Sequence, residues 1–536
     1  MSIRIDNLVL QPGERESKLK SLAENALGCQ VCNLKILRKS LDARKKRGRQ
    51  DIKWVYHIVC DTKNPVEEER AIKYCASAKK WVYNEYSFPE GRRILRRRPV
   101  VVGTGPAGLF CALMLARAGV PPIVLERGKP IEERVKDIEN YRSGGILQPE
   151  SNLQFGEGGA GTFSDGKLNT GVNDPRMAFI LRQFVHFGAP KEILYLAAPH
   201  IGTDYLKKVV LNMREELISL GAEIRFNSRF CDLEVRNNRL VGVCYQPSSE
   251  ISAVPEKLAA DALCLAVGHS AHDTFQMLFQ AGIPMAQKNF AVGVRIEHLQ
   301  KDISFSQYGD LSPLLPPASY KLSCHLPNGR SAFSFCVCPG GEVMAASSAP
   351  ERVATNGMSE YSRNGKNING ALLIGVGPDD YPSSHPLAGL VYQRDLEHKA
   401  WILGGRNGYA PAQTVGDFLA GRPSSGFSSV YPSYLPGVMP TDLHNCLPLS
   451  ITNSLEQALP ILGTKLKGYD DAEAVLTAVE SRSSCPLRIL RDENGESSVS
   501  GLFPCGEGAG YAGGIMSAAA DGIRCAEHIL FSDVRT

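Results

Sequence analysis

A chain of 536 residues is longer than one hydrophobic core usually supports, so two or three domains are expected. With 43% hydrophobic and 22% charged residues the composition is ordinary for a soluble globular protein, no low-complexity tract argues for disorder, and without an apolar run of about eighteen neither a membrane span nor a secretory leader is expected. The net charge of +4 conceals an asymmetry: residues 1–98 hold 23 Lys+Arg against 12 Asp+Glu, and the remainder is acidic.

Fifteen scattered cysteines fit reduced thiols in a cytoplasm rather than a disulfide framework. The basic excess lies mainly in "ARKKRGR" (Ala43–Arg49) and "RRILRRR" (Arg92–Arg98). Such runs read first as a solvated loop and a linker. RNA binding is the alternative, although no aromatic pattern accompanies them.

In chain order, "SIRIDNLVL" reads as a strand, "ESKLKSLAENALG" as an amphipathic helix with a glycine stop, and "NLKILRKSL" and "IKWVYHIVC" as strands around the basic loop. "PVEEERAIKYCASAKK" reads as a helix opened by Pro65, and "WVYNEYSF" as a last strand. The order β-α-β-β-α-β predicts a ferredoxin-like α+β domain over residues 1–95. Next come a buried strand at Pro99–Val102, a glycine turn, a helix from Pro106 to Ala118 and a second buried strand at Ile123–Glu126, which together predict a βαβ unit. A helix capped by Thr203 or Asp204 follows, then alternating strands and the apolar strand in Asp261–Ala271. From about 286 to 480 the text is rich in Pro, Ser and Gly, which suits an antiparallel substrate or cap domain. The end, "GLFPCGEGAGYAGGIMSAAADGIRCAEHIL", reads as strand, glycine turn and helix.

Gly103, Gly105 and Gly108 form G-x-G-x-x-G between a strand and a helix opened by Pro106 and Ala107, which predicts a dinucleotide site. The helix N-terminus offers unpaired amides to phosphates, and Glu126 is placed to accept from the hydroxyls of an adenosine ribose, which disfavours NADP there. The late cluster identifies the dinucleotide. A simple NAD enzyme has no reason to return its C-terminus to the cofactor, whereas FAD carries an isoalloxazine that needs holding at its far end. Gly506 and Glu507 are expected along the pyrophosphate and ribityl chain, and the amides near Gly513, Gly514 and Ile515 at the ring's pyrimidine edge.

"VVVGTGPAGLFCALMLARAG", "PIVLERG", "ESNLQFGEGGAGTFSDGKLNT", "CLAVGHSAHDTF", "AVGVRIEH", "FSFCVCPGGEV" and "GLFPCGEGAGYAGGIMSAAADGI" together resemble a bacterial family of FAD-dependent dehydrogenases in the glutathione-reductase-like class. The resemblance runs over nearly the whole chain and implies an α/β fold. A Rossmann-type FAD-binding domain (96–285 and 481–536) would carry an inserted α+β substrate domain (286–480) behind the ferredoxin-like domain. By position it adds Arg127 and Gly268 to the flavin-binding set. Glu507 stands where many relatives outside this family have Asp.

In similar flavoproteins the segment after the first βαβ unit passes over the ring. Here it holds Gly159, Gly161, Ser164, Asp165 and Lys167. Lys167 is a candidate for tuning the flavin or binding an anionic substrate, Asp165 for acid or base, and His269 for proton donor; ordinary caps and ion pairs are the competing readings. Cys29 and Cys32 form an isolated C-x-x-C, so no zinc site is expected. Cys336 and Cys338 should share a strand face, where strain disfavours a disulfide. The absence of cysteine between Cys111 and Cys231 excludes the ordinary disulfide-reductase arrangement. Without a second G-x-G-x-x-G, NAD(P)H is expected only as a transient reductant. The expected activity is hydride transfer to or from a small molecule; a flavoprotein acting on RNA and a non-catalytic regulatory flavoprotein remain open.

Overall fold

Short runs of Val, Ile and Leu form strands buried on both faces at the centre of the chain. The computed structural model describes residues 2–46, 49–63, 65–82, 85–89, 95–169, 171, 174–247 and 254–531. Its central sheet is parallel, in the order Leu502–Pro504, Leu263–Leu265, Val100–Val102, Ile123–Leu125, Glu223–Arg225. Numbered along the chain this is 5-4-1-2-3, so the strand order reverses beside Val100–Val102. Open α/β sheets bind ligands at such a switch point, outside the carboxyl ends of the strands. Val100 and Val101 are fully buried, and each such side chain contributes about 1.5–3 kcal/mol relative to exposure.

Helices Pro106–Arg117 and Ile515–Phe531 pack so closely that a Cβ on Gly522 would lie 2.1 Å from Ala107 O. Each helix follows a central strand, one starting just after Val100–Val102 and the other eleven residues after Pro504.

A second, seven-stranded sheet is built from residues 290–480. Its order is Ser323–His325, Ser331–Cys338, Asn367–Val376, Phe290–Leu299, Val475–Glu480, Ala410–Thr414, Val438–Pro440. Its pairings are antiparallel except the last. The stretch rich in Pro, Ser and Gly carries this sheet; strands such as Asn367–Val376 are buried on both faces, so they lack alternation.

The N-terminal sheet has the order Val31–Asp42, Lys53–Thr62, Ser2–Leu10, Ala78–Trp81, all antiparallel. Two boundaries differ from the sequence reading. The second helix stops at Tyr74, and the last strand is Ala78–Trp81, which shares only Trp81 among the described residues with the aromatic stretch expected as strand. Pairing of Ser2–Ile5 with Trp81–Ala78 decides this, against the local helical pattern. Residues 47, 48, 83, 84 and 90–94, in the basic runs and that aromatic stretch, lie outside the described residues. The N-terminal unit docks through Lys39, whose backbone pairs with Tyr195 and Ala197, and through Ile52, buried in the core of the seven-stranded sheet. No helix among the described residues is long and apolar enough to cross a membrane.

Candidate active site

The turn after Val100–Val102 requires its glycines. Gly103 has φ +97, and a Cβ there would meet Ala266 O at 2.3 Å; a Cβ on Gly108 would lie 1.8 Å from Gly103 O. Strand, turn and helix can only close on one another at this point without side chains.

This turn walls a cavity of about 360 Å³ that reaches the start of helix Ile515–Phe531. Gly103, Gly105, Pro106, Ala107, Glu126, Arg127, Gly159, Gly161, Gly268, Gly506, Glu507, Gly513, Gly514 and Ile515 all line it, together with Asp165, Lys167 and His269. Gly108 lies outside the wall and acts through packing. The two glycine clusters, some four hundred residues apart in sequence, thus border one space. The Gly506 turn is fixed from helix Ile515–Phe531: Asp521 accepts from Gly506 N at 2.8 Å while Arg491 holds both its oxygens.

Glu126 is buried, and its carboxylate accepts from Thr104 N (2.9 Å), Thr104 Oγ1 (2.6 Å), Gly128 N (2.9 Å) and Gly156 N (3.1 Å). It pins the glycine turn to the following strand and to the 156 loop, so a ribose contact would share an already engaged carboxylate. Arg127 pairs with Glu150 (2.7 Å) and Asp273 (2.9 Å) and stacks 4.1 Å over Phe155.

Asp165, a candidate acid or base, is instead a buried anion. Arg363 donates to both its oxygens (3.0 and 2.5 Å), Ser359 donates a further bond, and Lys167 Nζ lies 3.8 Å away. Burial pushes its carboxyl up, but the Lys167 and Arg363 charges outweigh this and hold it below the usual range. It ties the cavity wall to the second sheet. Lys167 donates to Val337 O and lines the cavity.

His269 is partly buried, with Nδ1 3.6 Å from Glu507 Oε1 and a buried Nε2 lacking a hydrogen-bond partner among the described residues. Burial, reinforced by Arg482, holds the ring down at about 4, so it is neutral at pH 7 and is no standing proton donor. Burial pushes Glu507 up to about 7. Arg482 pairs with Glu397 (2.7 and 2.9 Å) and donates to Ser270 Oγ (2.9 Å), joining the Gly268 turn to the second unit.

The sequence reading missed Arg482 and Glu480, and it set Cys336 aside. All three line the cavity. Charged residues inside the apolar run "VLTAVESRS" were the available signal for the first two. Glu480 lies 3.5 Å from Arg295, and burial pushes it up to about 7. Arg97 and Arg98, from the basic linker, donate to the backbone carbonyls of Val241, Pro121, Pro122 and Gly221.

The donor set fits an extended dinucleotide with a flat polar ring. Two helix N-termini border one cavity, the glycine walls admit close backbone approach, and His269 offers an unpaired buried nitrogen. A Cβ on Gly513 or Gly514 would meet nothing within 4 Å, so this end has room for a large group.

Residues 289–483 match the family described as "FAD-dependent protein, C-terminal domain-like". An "Uncharacterized protein" of Clostridium beijerinckii is 41% identical over 541 residues, 99% of each chain. Similar solved structures include a triple mutant of the flavin-dependent brominase Bmp2 (13% identity, 81% of this chain and 80% of that one, TM-score 0.37). E. coli quinol fumarate reductase FrdA (11%, 81% and 69%, 0.35) and the 3-ketosteroid-delta4-(5alpha)-dehydrogenase of Rhodococcus jostii RHA1 (13%, 81% and 95%, 0.31) are others.

Proposed function

The chain belongs to the same family as its Clostridium beijerinckii relative, its residues 289–483 match a C-terminal domain-like family of FAD-dependent proteins, and on that premise we propose that it is an FAD-dependent oxidoreductase acting on a small molecule. The single observation that carries this reading is that both glycine turns, each leading to a helix, border one cavity at the switch point of the parallel sheet.

In this reading the Rossmann-type turn at Gly103–Gly108 and the N-terminus of helix Pro106–Arg117 hold the pyrophosphate. Gly506 and Glu507 follow the ribityl chain, and the amides at Gly513, Gly514 and Ile515 face the pyrimidine edge. Bound FAD supplies two-electron hydride exchange at N5. The protein's own residues supply binding and polarity. The helix dipole at Ile515 favours negative charge beside it, Lys167 offers a cation to an anionic substrate, and neutral His269 offers a hydrogen bond without adding charge.

NAD(P)H is a candidate transient reductant. The test is to load the full chain with FAD and record its visible spectrum anaerobically before and after NADH and then NADPH. Bleaching of the oxidised-flavin band supports a nicotinamide-reduced enzyme. A band that persists with both, and with a panel of organic donors, contradicts the oxidoreductase reading. RNA binding through the basic segment has no comparable support, because Arg97 and Arg98 are engaged with backbone carbonyls.

A further inference from the structure

The strand Ser331–Cys338 pairs regularly with Asn367–Val376 as far as Phe335↔Ala371, then resumes at Cys338↔Asn369. Cys336 sits at this irregularity with φ +41, a left-handed backbone rare for cysteine. A bulge of this kind re-aims a side chain, so the alternation that would set both cysteines on one face as in a regular strand does not apply. Cys336 lines the cavity, Cys338 is wholly buried, and the Cys338 thiol donates to the backbone carbonyl of Cys336 at 3.3 Å.

Cations surround the pair. Lys167 Nζ donates to Val337 O, the carbonyl between the two cysteines, and Arg295 Nη2 donates to Cys336 O at 2.9 Å and lies 3.7 Å from Cys338 Sγ. The Cys338 thiol's hydrogen bond, followed by the Lys167 and Arg295 charges, outweighs burial and lowers Cys336, while Cys338 is raised. An inert structural cysteine sits among apolar groups. A reactive one is partly accessible, faces positive charge and stands next to a second thiol.

We propose that Cys336 and Cys338 are a redox-active dithiol that reduces a small-molecule disulfide entering the cavity, with Cys336 as nucleophile and Cys338 as resolving thiol. A resolving thiol is useful when the first product can itself be attacked at sulfur, as a mixed disulfide can. The Cys336 thiolate, its proton released to solvent, attacks one sulfur of R–S–S–R. The Cys336–SR bond forms, the substrate S–S bond breaks, and RS⁻ leaves and takes up a proton. Cys338 then gives up its proton and attacks Cys336 Sγ, forming the Cys336–Cys338 bond and expelling the second thiol. The substrate gains two electrons and two protons, and the pair loses the same. Strain in so short a ring makes the product readily reducible, and a dithiol such as dithiothreitol restores the starting pair. The exchange needs no flavin, so it stands or fails independently of the FAD reading.

The test uses the full chain carrying Cys29→Ser and Cys32→Ser, which removes the partly exposed N-terminal pair. The native protein is treated anaerobically with 5,5′-dithiobis(2-nitrobenzoic acid), and released thiol and protein mass are followed. The proposal predicts a fast phase releasing two thiols per chain, no retained adduct, and a peptide linking Cys336 to Cys338. Adding Cys338→Ser should halve the release and leave an adduct on Cys336; adding Cys336→Ser should abolish the fast phase. A fast phase that survives Cys336→Ser, an adduct retained on Cys336 in the parent chain, or linkage formed by hydrogen peroxide but not by the disulfide overturns it. Should circular dichroism show that Cys338→Ser does not fold, the parent chain's linked peptide decides alone.

Discussion

Arg482 and Glu397 form a two-point ion pair at the cavity wall, with Nε and Nη2 2.7 and 2.9 Å from the carboxylate oxygens and both residues buried. The pair spans two structural units, because the remaining Arg482 nitrogen donates to Ser270 beside the Gly268 turn. Removing one partner leaves a buried charge uncompensated, which costs about 3–5 kcal/mol. Arg482→Met and Glu397→Leu should each lose stability on that scale in urea unfolding, and the double variant should recover much of it. Single variants within about 1 kcal/mol of wild type would contradict this.

Gly108→Ala places a Cβ 1.8 Å from Gly103 O, so the helix must move off the strand. Overpacking of this kind costs about 1–3 kcal/mol. The expected outcome is a lower melting temperature and weaker FAD retention together. Gly426→Ala is the control, since a Cβ there meets nothing within 4 Å and needs no left-handed backbone; equal behaviour of the two variants would be the contrary result.

His269 and Glu507 give opposite pH signatures. His269 is held down at about 4, against about 6.5 in an unfolded chain, so between those values only the unfolded state binds the proton. Stability therefore falls as pH falls through that window, by up to about 3 kcal/mol. Glu507 is pushed up to about 7, so the folded chain keeps a proton the unfolded chain has released, and stability falls as pH rises from about 4.5 to about 7. His269→Asn should gain on wild type as pH is lowered, and Glu507→Gln as it is raised. Urea unfolding of the three proteins across that range checks this; parallel curves would count against it.

The glycine turns were legible because their chemistry is local. G-x-G-x-x-G and the strand and helix on either side of it lie within about twenty residues, and the late cluster carries the same strand–turn–helix text. The roles of Asp165 and Cys336 were not legible. Asp165 is fixed as an anion by Arg363, which is distant in sequence, and Cys336 is turned by a bulge whose register is set by Asn367–Val376. Neither long-range partner leaves a trace in local periodicity. The last N-terminal strand was misplaced for the same reason, since its pairing with Ser2–Ile5 outweighs the helical pattern that runs on into it.

Lys167 sits where it can act on Cys336. Lys167→Met removes the ammonium anchored at Val337 O and should raise the Cys336 thiol. Alkylation of Cys336 by iodoacetamide at neutral pH, followed by peptide mass spectrometry, should slow several-fold. An unchanged rate would show that the lysine does not govern this thiol.

Flavin stoichiometry decides whether the two glycine turns hold FAD. The purified full chain is incubated with FAD, freed of unbound flavin by gel filtration, and its visible absorption compared with its protein concentration. About one FAD per chain with a resolved oxidised-flavin band is expected, and less than that in Gly108→Ala. An intact, folded chain that retains no FAD would contradict the FAD reading.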